Sequence, residues 1–405
     1  MNSLPDNAAL PLQPLPYHDA MVAYLRTYED DLWTWFSSAK VRTEQADAVR
    51  LDLLKNAYRM GRDTQPDLYA AADAAAAALG LSVPATVYQL QGGLGMNASL
   101  AYIPGEIHVV LQGPVLATLN AVELRSLLGH EFAHFLFYEY RDRQFHTAAE
   151  VLAAMTRDRK AEPPHAESAR LYQLYTEVFC DRGALRVGGD LAAAVAMQVK
   201  IETGLREVSA TDYLRQADEI FRLEKPRTEE LTHPESFIRA RALQLWSAQG
   251  DAAAAEIARM LEGPPSLESL DLLGKMRVSD LTRRVIGGLL AHTWLRTDST
   301  LAHARRFFDD FTPAAAAEPV PALAAEIQGM EKSLKEYFCY VLLDFATVDR
   351  SLEDAPLAAA LEFSRKLGLG ELFGPIATKE LGLKKKQFEK LSASAAELLE
   401  KAATV

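Results

Sequence analysis

The stretch Leu-Arg-Ser-Leu-Leu-Gly-His-Glu-Phe-Ala-His at residues 124–134 places two histidines four residues apart behind an apolar run. On a helix, the side chains of His130 and His134 lie on one face, with their Cβ atoms about 6 Å apart. A single tetrahedral Zn²⁺ can bind both rings, which leaves Glu131 beside a water on the metal. Zinc lowers the pKa of such a water toward about 7, and a carboxylate can accept its proton as it attacks a carbonyl. The stretch therefore predicts a zinc-dependent peptidase.

The surrounding residues favour a helix with one buried face. Asn120, followed three residues later by Glu123, is a capping-box signature of a helix start. An apolar stripe follows at helical spacing, formed by Leu124, Leu128, Phe132 and Phe135. The bare pattern arises by chance in roughly one comparable chain in a hundred. The alternative is thus an ordinary helix with hydrogen-bonded histidines and an exposed glutamate.

The third ligand decides the subclass of the site. A third histidine at the fixed offset is excluded, because Phe137 and Tyr140 occupy the positions where that pattern needs glycine and histidine. Three nearby residues are candidates by type alone: Glu139, His146 and Glu150.

A better third ligand lies in a second amphipathic segment, residues 174–182. Its Glu177 can complete a His₂Glu site. Asp181, one helical turn later, can accept the free N–H of a ligand histidine. The alternative is a solvated acidic helix face with Arg182 as its partner.

The HExxH helix with a downstream E-x-x-x-D helix resembles the M48 metallopeptidases, gluzincins that include the CAAX prenyl protease and the HtpX-like enzymes. Residues 97–101 and 107–111 resemble the family's N-A-x-x-A strand and the strand after it. Thr232, His233 and Pro234 with Arg239 resemble its late T-H-P-x-x-x-x-R segment. The resemblance covers roughly residues 80 to 250.

This resemblance implies an α+β, predominantly helical, zincin-like metalloendopeptidase with one Zn²⁺ per chain. It implies His130, His134 and Glu177 as zinc ligands. Glu131 would be the general base, and Asp181 would orient a ligand. An extended peptide or unfolded protein would pair with an edge strand formed by Asn97, Ala98, Ser99, Leu100 and Ala101.

The resemblance to the family's T-H-P-x-x-x-x-R segment also implies roles for two further residues. His233 would lie near the cleft, where it could stabilise the tetrahedral oxyanion or approach the metal. The alternative for His233 is a histidine that precedes proline in a surface turn. Arg239 would be mainly structural.

Composition excludes several classes of function. A net charge of −12 over 405 residues argues against nucleic acid and anionic membrane surfaces as partners. The longest apolar stretches, at residues 191–199 and 285–291, are far shorter than the roughly 18 to 20 residues of a membrane span. Residues 1–13 lack the features of a signal peptide, and two cysteines give no disulfide framework. These features predict a cytoplasmic enzyme.

The chain is expected to have three parts. An N-terminal leader and helical region covers residues 1–69, with helical sequence over 18–60. The peptidase domain covers 70–262, with a helix over 70–79, short strands near 85–90, 99–103 and 107–111, and a loop at 158–165. After the boundary at Gly263, Pro264 and Pro265, an all-helical domain covers 266–405, with a linker at 312–321.

The C-terminal domain carries no part of the predicted zinc site. Its segments 337–345 and 362–369 weakly resemble the TerB-like helical domains of tellurite-resistance proteins. An acidic cluster follows the first segment, formed by Asp344, Asp349, Glu353 and Asp354. It could bind a hard cation, but the favoured interpretation is a helix start that complements the helix dipole. This domain is also a candidate surface for a protein partner.

Two alternatives to an open peptidase remain on sequence grounds. One is a non-catalytic interaction protein that keeps zinc as a structural clamp. The other is an autoinhibited peptidase, in which the 158–165 loop or the segment around His233 covers the metal.

Overall fold

The computed structural model describes residues 12–92, 95–223, 235–313 and 319–404, with only the backbone described at 39–42. The chain divides into two compact units, residues 1–263 and 264–405. The described residues are predominantly helical, with one small mixed sheet of four strands, as the α+β prediction requires. Among them, no helix combines the length and the apolar character needed to cross a bilayer.

The first unit contains eleven α-helices among its described residues. They are α1 Pro16–Tyr28, α2 Asp30–Ser37, α3 Ala39–Asn56, α4 Pro66–Ala78, α5 Val115–Thr118, α6 Ala121–Arg157, α7 Pro163–Gly188, α8 Leu191–Thr203, α9 Ala210–Leu223, α10 Ser236–Gln249 and α11 Ala254–Glu262.

Some of the predicted boundaries were wrong. The helical region expected over 18–60 consists of three helices and gives way to a short strand at residues 57–59. The loop expected over 158–165 ends at Glu162, because Pro163 and Pro164 begin α7. Proline suits the first turn of a helix, where its missing N–H has no intrahelical partner to lose.

The sheet consists of β1 Ala57–Arg59, β2 Ala85–Leu90, β3 Asn97–Leu100 and β4 Ile107–Gln112, in the order β1-β2-β4-β3. β2 and β4 are parallel, and the other two pairs are antiparallel. The strand expected over 99–103 begins two residues earlier and ends at Leu100, and Ile103 makes only an isolated bridge with Glu106.

β3 forms one edge of the sheet, and its free side can be assigned from the register. The Ala101 N–H donates to the His108 carbonyl at 2.8 Å, and Ser99 lies opposite Val110. In an antiparallel pair the hydrogen-bonded residues alternate. The backbone N–H and C=O groups of Ala98 and Leu100 therefore point away from β4, toward the open edge.

The N-terminus of α6 has the predicted capping box. The Asn120 side chain accepts hydrogen bonds from the Val122 and Glu123 amides at 2.9 and 3.0 Å, and Glu123 accepts one from the Asn120 amide at 2.9 Å. Lys200 of α8 donates to the same buried carboxylate at 2.8 Å. This network fixes where the helix with the two histidines begins.

α6 and α7 pack with their backbones in contact. A Cβ placed on Gly183 would overlap the Cβ of Ala133 and lie 2.7 Å from the Gly129 carbonyl oxygen. A Cβ on Gly129 would lie 2.7 Å from the Gly183 carbonyl oxygen. Only glycine at both positions allows this approach, which sets the distance between the two helices that carry the predicted ligands.

α6 is broken in the middle by three left-handed residues without glycine. Arg141, Asp142 and Arg143 have φ of 46°, 54° and 64°, and Tyr140 is extended with ψ 143°. A left-handed conformation costs an L-residue roughly 1 kcal/mol or more. The break separates the half of α6 that carries the histidines from the half at residues 144–157.

The second unit is helical throughout its described residues, as predicted. Its helices are α12 Leu272–Leu289, α13 Asp298–Phe307, α14 Val320–Gln328, α15 Lys332–Thr347, α16 Ala355–Lys366, α17 Gly370–Glu380 and α18 Lys385–Ala403. Its core includes the buried residues Leu281, Val285, Phe338 and Phe345. In the acidic cluster, the Asp349 carboxylate accepts a hydrogen bond from the Ser351 amide at 3.0 Å. This cap supports the interpretation of the cluster as a helix-end turn.

The broken segment of α6 yields a prediction about stability. Replacing the exposed Asp142 by valine should lower the free energy of unfolding by about 1 to 2 kcal/mol, because a β-branched residue strongly disfavours positive φ. Asp142→Gly should not lower it, since glycine adopts this conformation freely. Urea unfolding followed by tryptophan fluorescence checks both values.

The control uses an exposed residue with ordinary helical backbone. Ala74→Gly in α4 should lower the free energy of unfolding by about 1 kcal/mol. Equal stability of Asp142→Val and Asp142→Gly would show that the left-handed conformation is not present.

Candidate metal centre

α6 and α7 bring the three predicted ligands together. The ligand atoms of His130, His134 and Glu177 all lie within 4.8 Å of one another. His130 Nε2 lies 3.4 Å from Glu177 Oε2, and His134 Nε2 lies 3.6 Å from Glu177 Oε1. Two ligand atoms about 2.1 Å from a tetrahedral metal are about 3.4 Å apart. The spacing of the cluster is compatible with one metal ion bound by all three side chains.

Behind the cluster, a series of charged side chains positions His130. Its Nδ1 lies 3.1 Å from Asp181 Oδ1, although the direction of the N–H is not that of a regular hydrogen bond. Arg239 of α10 holds Asp181 through two hydrogen bonds of 2.8 and 2.6 Å and lies 3.7 Å from Glu177. Carboxylates that orient ligand histidines are typical of metal sites. Arg239 therefore supports Asp181 and also lies beside Glu177, one of the predicted ligands.

Burial and neighbouring charges shift the pKa values of the site residues in different directions. Burial lowers the pKa of His134 to about 4, so that its ring is neutral near pH 7. Burial opposes the ionisation of Asp181, but Arg239 outweighs it and holds the pKa at about 2. Burial also disfavours protonated His130, yet the Asp181 and Glu177 carboxylates raise its pKa to about 10. Metal binding at His130 therefore has to displace a proton.

Glu131 points into the same site but is not one of the clustered ligands. Its side chain is 4% exposed, and burial raises its pKa to about 7. The Leu100 backbone amide, on the open side of β3, opposes this shift by a hydrogen bond to the carboxylate. A carboxyl group with a pKa near 7 can both accept and donate a proton at neutral pH.

A cavity of about 260 Å³ joins the cluster to the sheet edge. Its polar and charged wall includes Asn97, His130, Glu131, His134, Glu177, Gln198, Glu202 and Arg239, and its apolar wall includes Ala98, Leu100, Leu127, Met197 and Ile201. The predicted ligands, the predicted base and the edge strand thus share one cavity.

The alternatives to a metal site do not fit the packing. Glu177 and Asp181 are 3% and 1% exposed, so the interpretation as a solvated acidic face is wrong. Arg182, its expected partner, instead stacks on Trp246 at 3.5 Å and donates to the Gln13 carbonyl at 2.8 Å. Glu131 is buried, so the alternative with an exposed glutamate is wrong too.

The other sequence candidates lie elsewhere. Glu139 accepts a hydrogen bond from the Tyr102 hydroxyl at 2.6 Å, and His146 lies 3.9 Å from Glu150. None of these three candidates belongs to the ligand cluster. His233 lies in the segment 224–234, outside the described residues.

Sequence reasoning missed two residues of this site. Gln198 of α8 lines the cavity, and neither polar atom of its side chain has a hydrogen-bond partner among the described residues. Gly183 sets the approach of α7 to α6. Neither residue belongs to a recognisable motif. The sequence offers one indirect sign of the close helix packing, namely that Gly129 and Ala133 are small residues about one helical turn apart.

Comparisons with known proteins identify no relative. No family model matches the chain, and comparison with the curated proteins and with the solved structures returned no significant match.

The helix contact behind the site yields a second prediction. Gly183→Ala should lower the free energy of unfolding by about 1 to 3 kcal/mol, because the added methyl group overlaps Ala133 and forces the helices apart. The same change should weaken metal binding, since it moves Glu177 relative to the histidines. Urea unfolding and metal titration measure the two effects.

Gly287→Ala in α12 is the matched control, because nothing lies within 4 Å of the added Cβ there. It should raise the free energy of unfolding by up to about 1 kcal/mol. A Gly183→Ala protein with wild-type stability and metal affinity would contradict the close packing.

Proposed function

We propose that this chain is a zinc-dependent endopeptidase. The observation that carries the proposal is one cavity that holds a His₂Glu cluster, a buried glutamate outside that cluster and the open edge of a β-strand. Three protein ligands are typical of catalytic zinc sites, whereas structural sites use four.

The donor set fits zinc. Two imidazole nitrogens and a carboxylate suit a borderline metal, whereas Mg²⁺ and Ca²⁺ prefer sites made of oxygen alone. The carboxylates of Glu177 and Asp181 outnumber the guanidinium of Arg239, and the proton on His130 offsets this excess in the absence of a metal. A divalent cation would take the place of that proton. When bound, zinc supplies Lewis-acid activation of a water and of the scissile carbonyl.

Glu131 is the proposed proton carrier. Burial raises its pKa to about 7, so that its protonated and ionised forms are both populated near neutral pH. It accepts a proton from the attacking water and returns it to the leaving amine, as a general base and then a general acid. The Leu100 amide holds the carboxylate at the edge of β3, where the substrate backbone would lie.

The edge strand is the proposed peptide-binding element. The C=O groups of Ala98 and Leu100 face the open edge and can accept hydrogen bonds from the main chain of an extended substrate. The Ala98 N–H donates to the Asn97 side chain at 2.9 Å and the Leu100 N–H to Glu131, so a substrate carbonyl would have to displace these contacts to pair with either group. Main-chain pairing supplies affinity without selecting a side chain. This arrangement favours an extended peptide or unfolded segment as the substrate.

The alternative is a non-catalytic or autoinhibited protein with zinc as a clamp. A clamp has no use for a buried Glu131 with a raised pKa at the cavity, which favours the catalytic proposal. The residues that line the cavity include none from 158–165, the loop considered as a cover.

The ligand assignment predicts a change in metal content. The purified wild type should contain about one zinc per chain, and Glu177→Ala should lose it or bind it at least tenfold more weakly. Elemental analysis and competition with a chelator measure this. Glu150→Ala is the control, because Glu150 lies outside the cluster and its loss should leave zinc in place. If wild-type protein contained no zinc after metal-replete purification, the proposal of a zinc peptidase would be wrong.

The proposed base predicts a separation of binding from turnover. Glu131→Gln should keep zinc but lower peptide hydrolysis at least a hundredfold, because the amide cannot accept the proton. Hydrolysis of a quenched-fluorescence peptide library by the zinc-loaded proteins tests this. Glu139→Gln is the control, since Glu139 lies on the same helix but hydrogen-bonds to Tyr102. Equal turnover by wild type and Glu131→Gln would rule out this mechanism.

A further inference from the structure

A second cavity, of about 510 Å³, adjoins the proposed active site. Its walls come from three places: α3, the segment after β3, and the half of α6 that follows the break. This volume lies within the range of small-ligand pockets. None of the predicted zinc ligands lines it.

The two cavities meet at the end of the edge strand. Leu100 lines both of them. Tyr138 lines the first cavity, and its ring lies 5.0 Å from that of His146 in the second. His146 in turn lies 4.3 Å from the Tyr102 ring. An extended peptide advances about 3.4 Å per residue, so a peptide paired with β3 carries its next side chains past Leu100 toward the second cavity.

The charged groups of the second cavity are not equally engaged. Glu150 accepts a hydrogen bond from the Gln45 side-chain amide at 3.0 Å and lies 3.9 Å from His146. Arg143 also lines the cavity, and no carboxylate of the described residues lies within ion-pair distance of it. The neighbouring Arg141, by contrast, pairs with Asp19 at 2.7 Å. Arg143 thus has no ion-pair partner within the part of the chain that the structure describes.

The backbone break explains how Arg143 comes to line this cavity. It is the last of the three left-handed residues, with φ 64°, and the regular helix resumes after it. In an unbroken helix its side chain would follow the 3.6-residue repeat of the preceding turns. Strained backbone of this kind is concentrated at functional sites. Arg143 both belongs to the strained segment and lines the cavity.

We propose that the second cavity is a subsite for an acidic side chain of the substrate, with Arg143 as its counter-ion. The proposal rests on the proposed function for the nature of the ligand, an extended peptide. A guanidinium binds a carboxylate through two parallel hydrogen bonds, a geometry that neither lysine nor an amide reproduces. Apolar groups of Val49, Ala101 and Pro104 complete the wall around the aliphatic part of the side chain.

The test measures binding, so that it does not depend on turnover. Zinc-loaded Glu131→Gln protein is titrated into fluorescein-labelled nonapeptides that place a single Glu, Gln or Lys at each position in turn, and anisotropy is recorded. We expect Glu at one position to bind about five- to tenfold more tightly than Gln. Adding Arg143→Gln should abolish this preference, and adding Arg143→Glu should change it to a preference for Lys.

Arg141→Gln is the matched control, because Arg141 belongs to the same left-handed segment but pairs with Asp19 outside the cavity. It should leave the preference unchanged. Circular dichroism and zinc content verify that each variant is folded.

Three results would overturn the subsite. They are the absence of any peptide binding, equal binding of Glu and Gln peptides, and a Lys preference that Glu150→Gln removes. Arg143-dependent binding by a protein whose wild type cleaves none of these peptides would retain the subsite and reject the peptidase proposal. The two proposals can thus fail separately.

Discussion

The backbone contact between α6 and α7 is the constraint on which the site depends. Gly129 directly precedes the first histidine of the cluster, and Gly183 lies six residues after Glu177. Because neither residue has a Cβ, the two helices approach until their backbones touch. The distances between the imidazole nitrogens and the carboxylate oxygens follow from that approach. The geometry of the candidate metal cluster thus depends on helix packing as well as on the three side chains themselves.

Burial also shifts the protonation states of the side chains beside this contact. One low-dielectric environment favours the neutral forms of His134 and Glu131, while Arg239 keeps Asp181 ionised. The groups therefore differ in protonation although they lie within a few ångströms of one another. Such divergence between neighbouring titratable groups is a recurring mark of active sites.

The sequence predicts best what local spacing determines. The cap at Asn120 and the face shared by the two histidines follow from helix periodicity, and the structure has both. It does not predict the break at residues 141–143, because Arg-Asp-Arg contains neither glycine nor proline. The strand Ala57–Arg59 was missed because three residues are too few to show a period. Gln198 acquires its place at the cavity only through tertiary packing.

The break in α6 has a mechanical consequence. A continuous helix transmits a displacement along its axis, since each turn is hydrogen-bonded to the next. The left-handed residues interrupt that ladder, so the two halves of α6 are joined by side-chain packing, such as the stacked rings of Phe137 and Phe145 at 4.7 Å, instead of a continuous run of backbone hydrogen bonds. The half of α6 that carries the clustered histidines and the half that lines the second cavity can therefore take different directions within one helix.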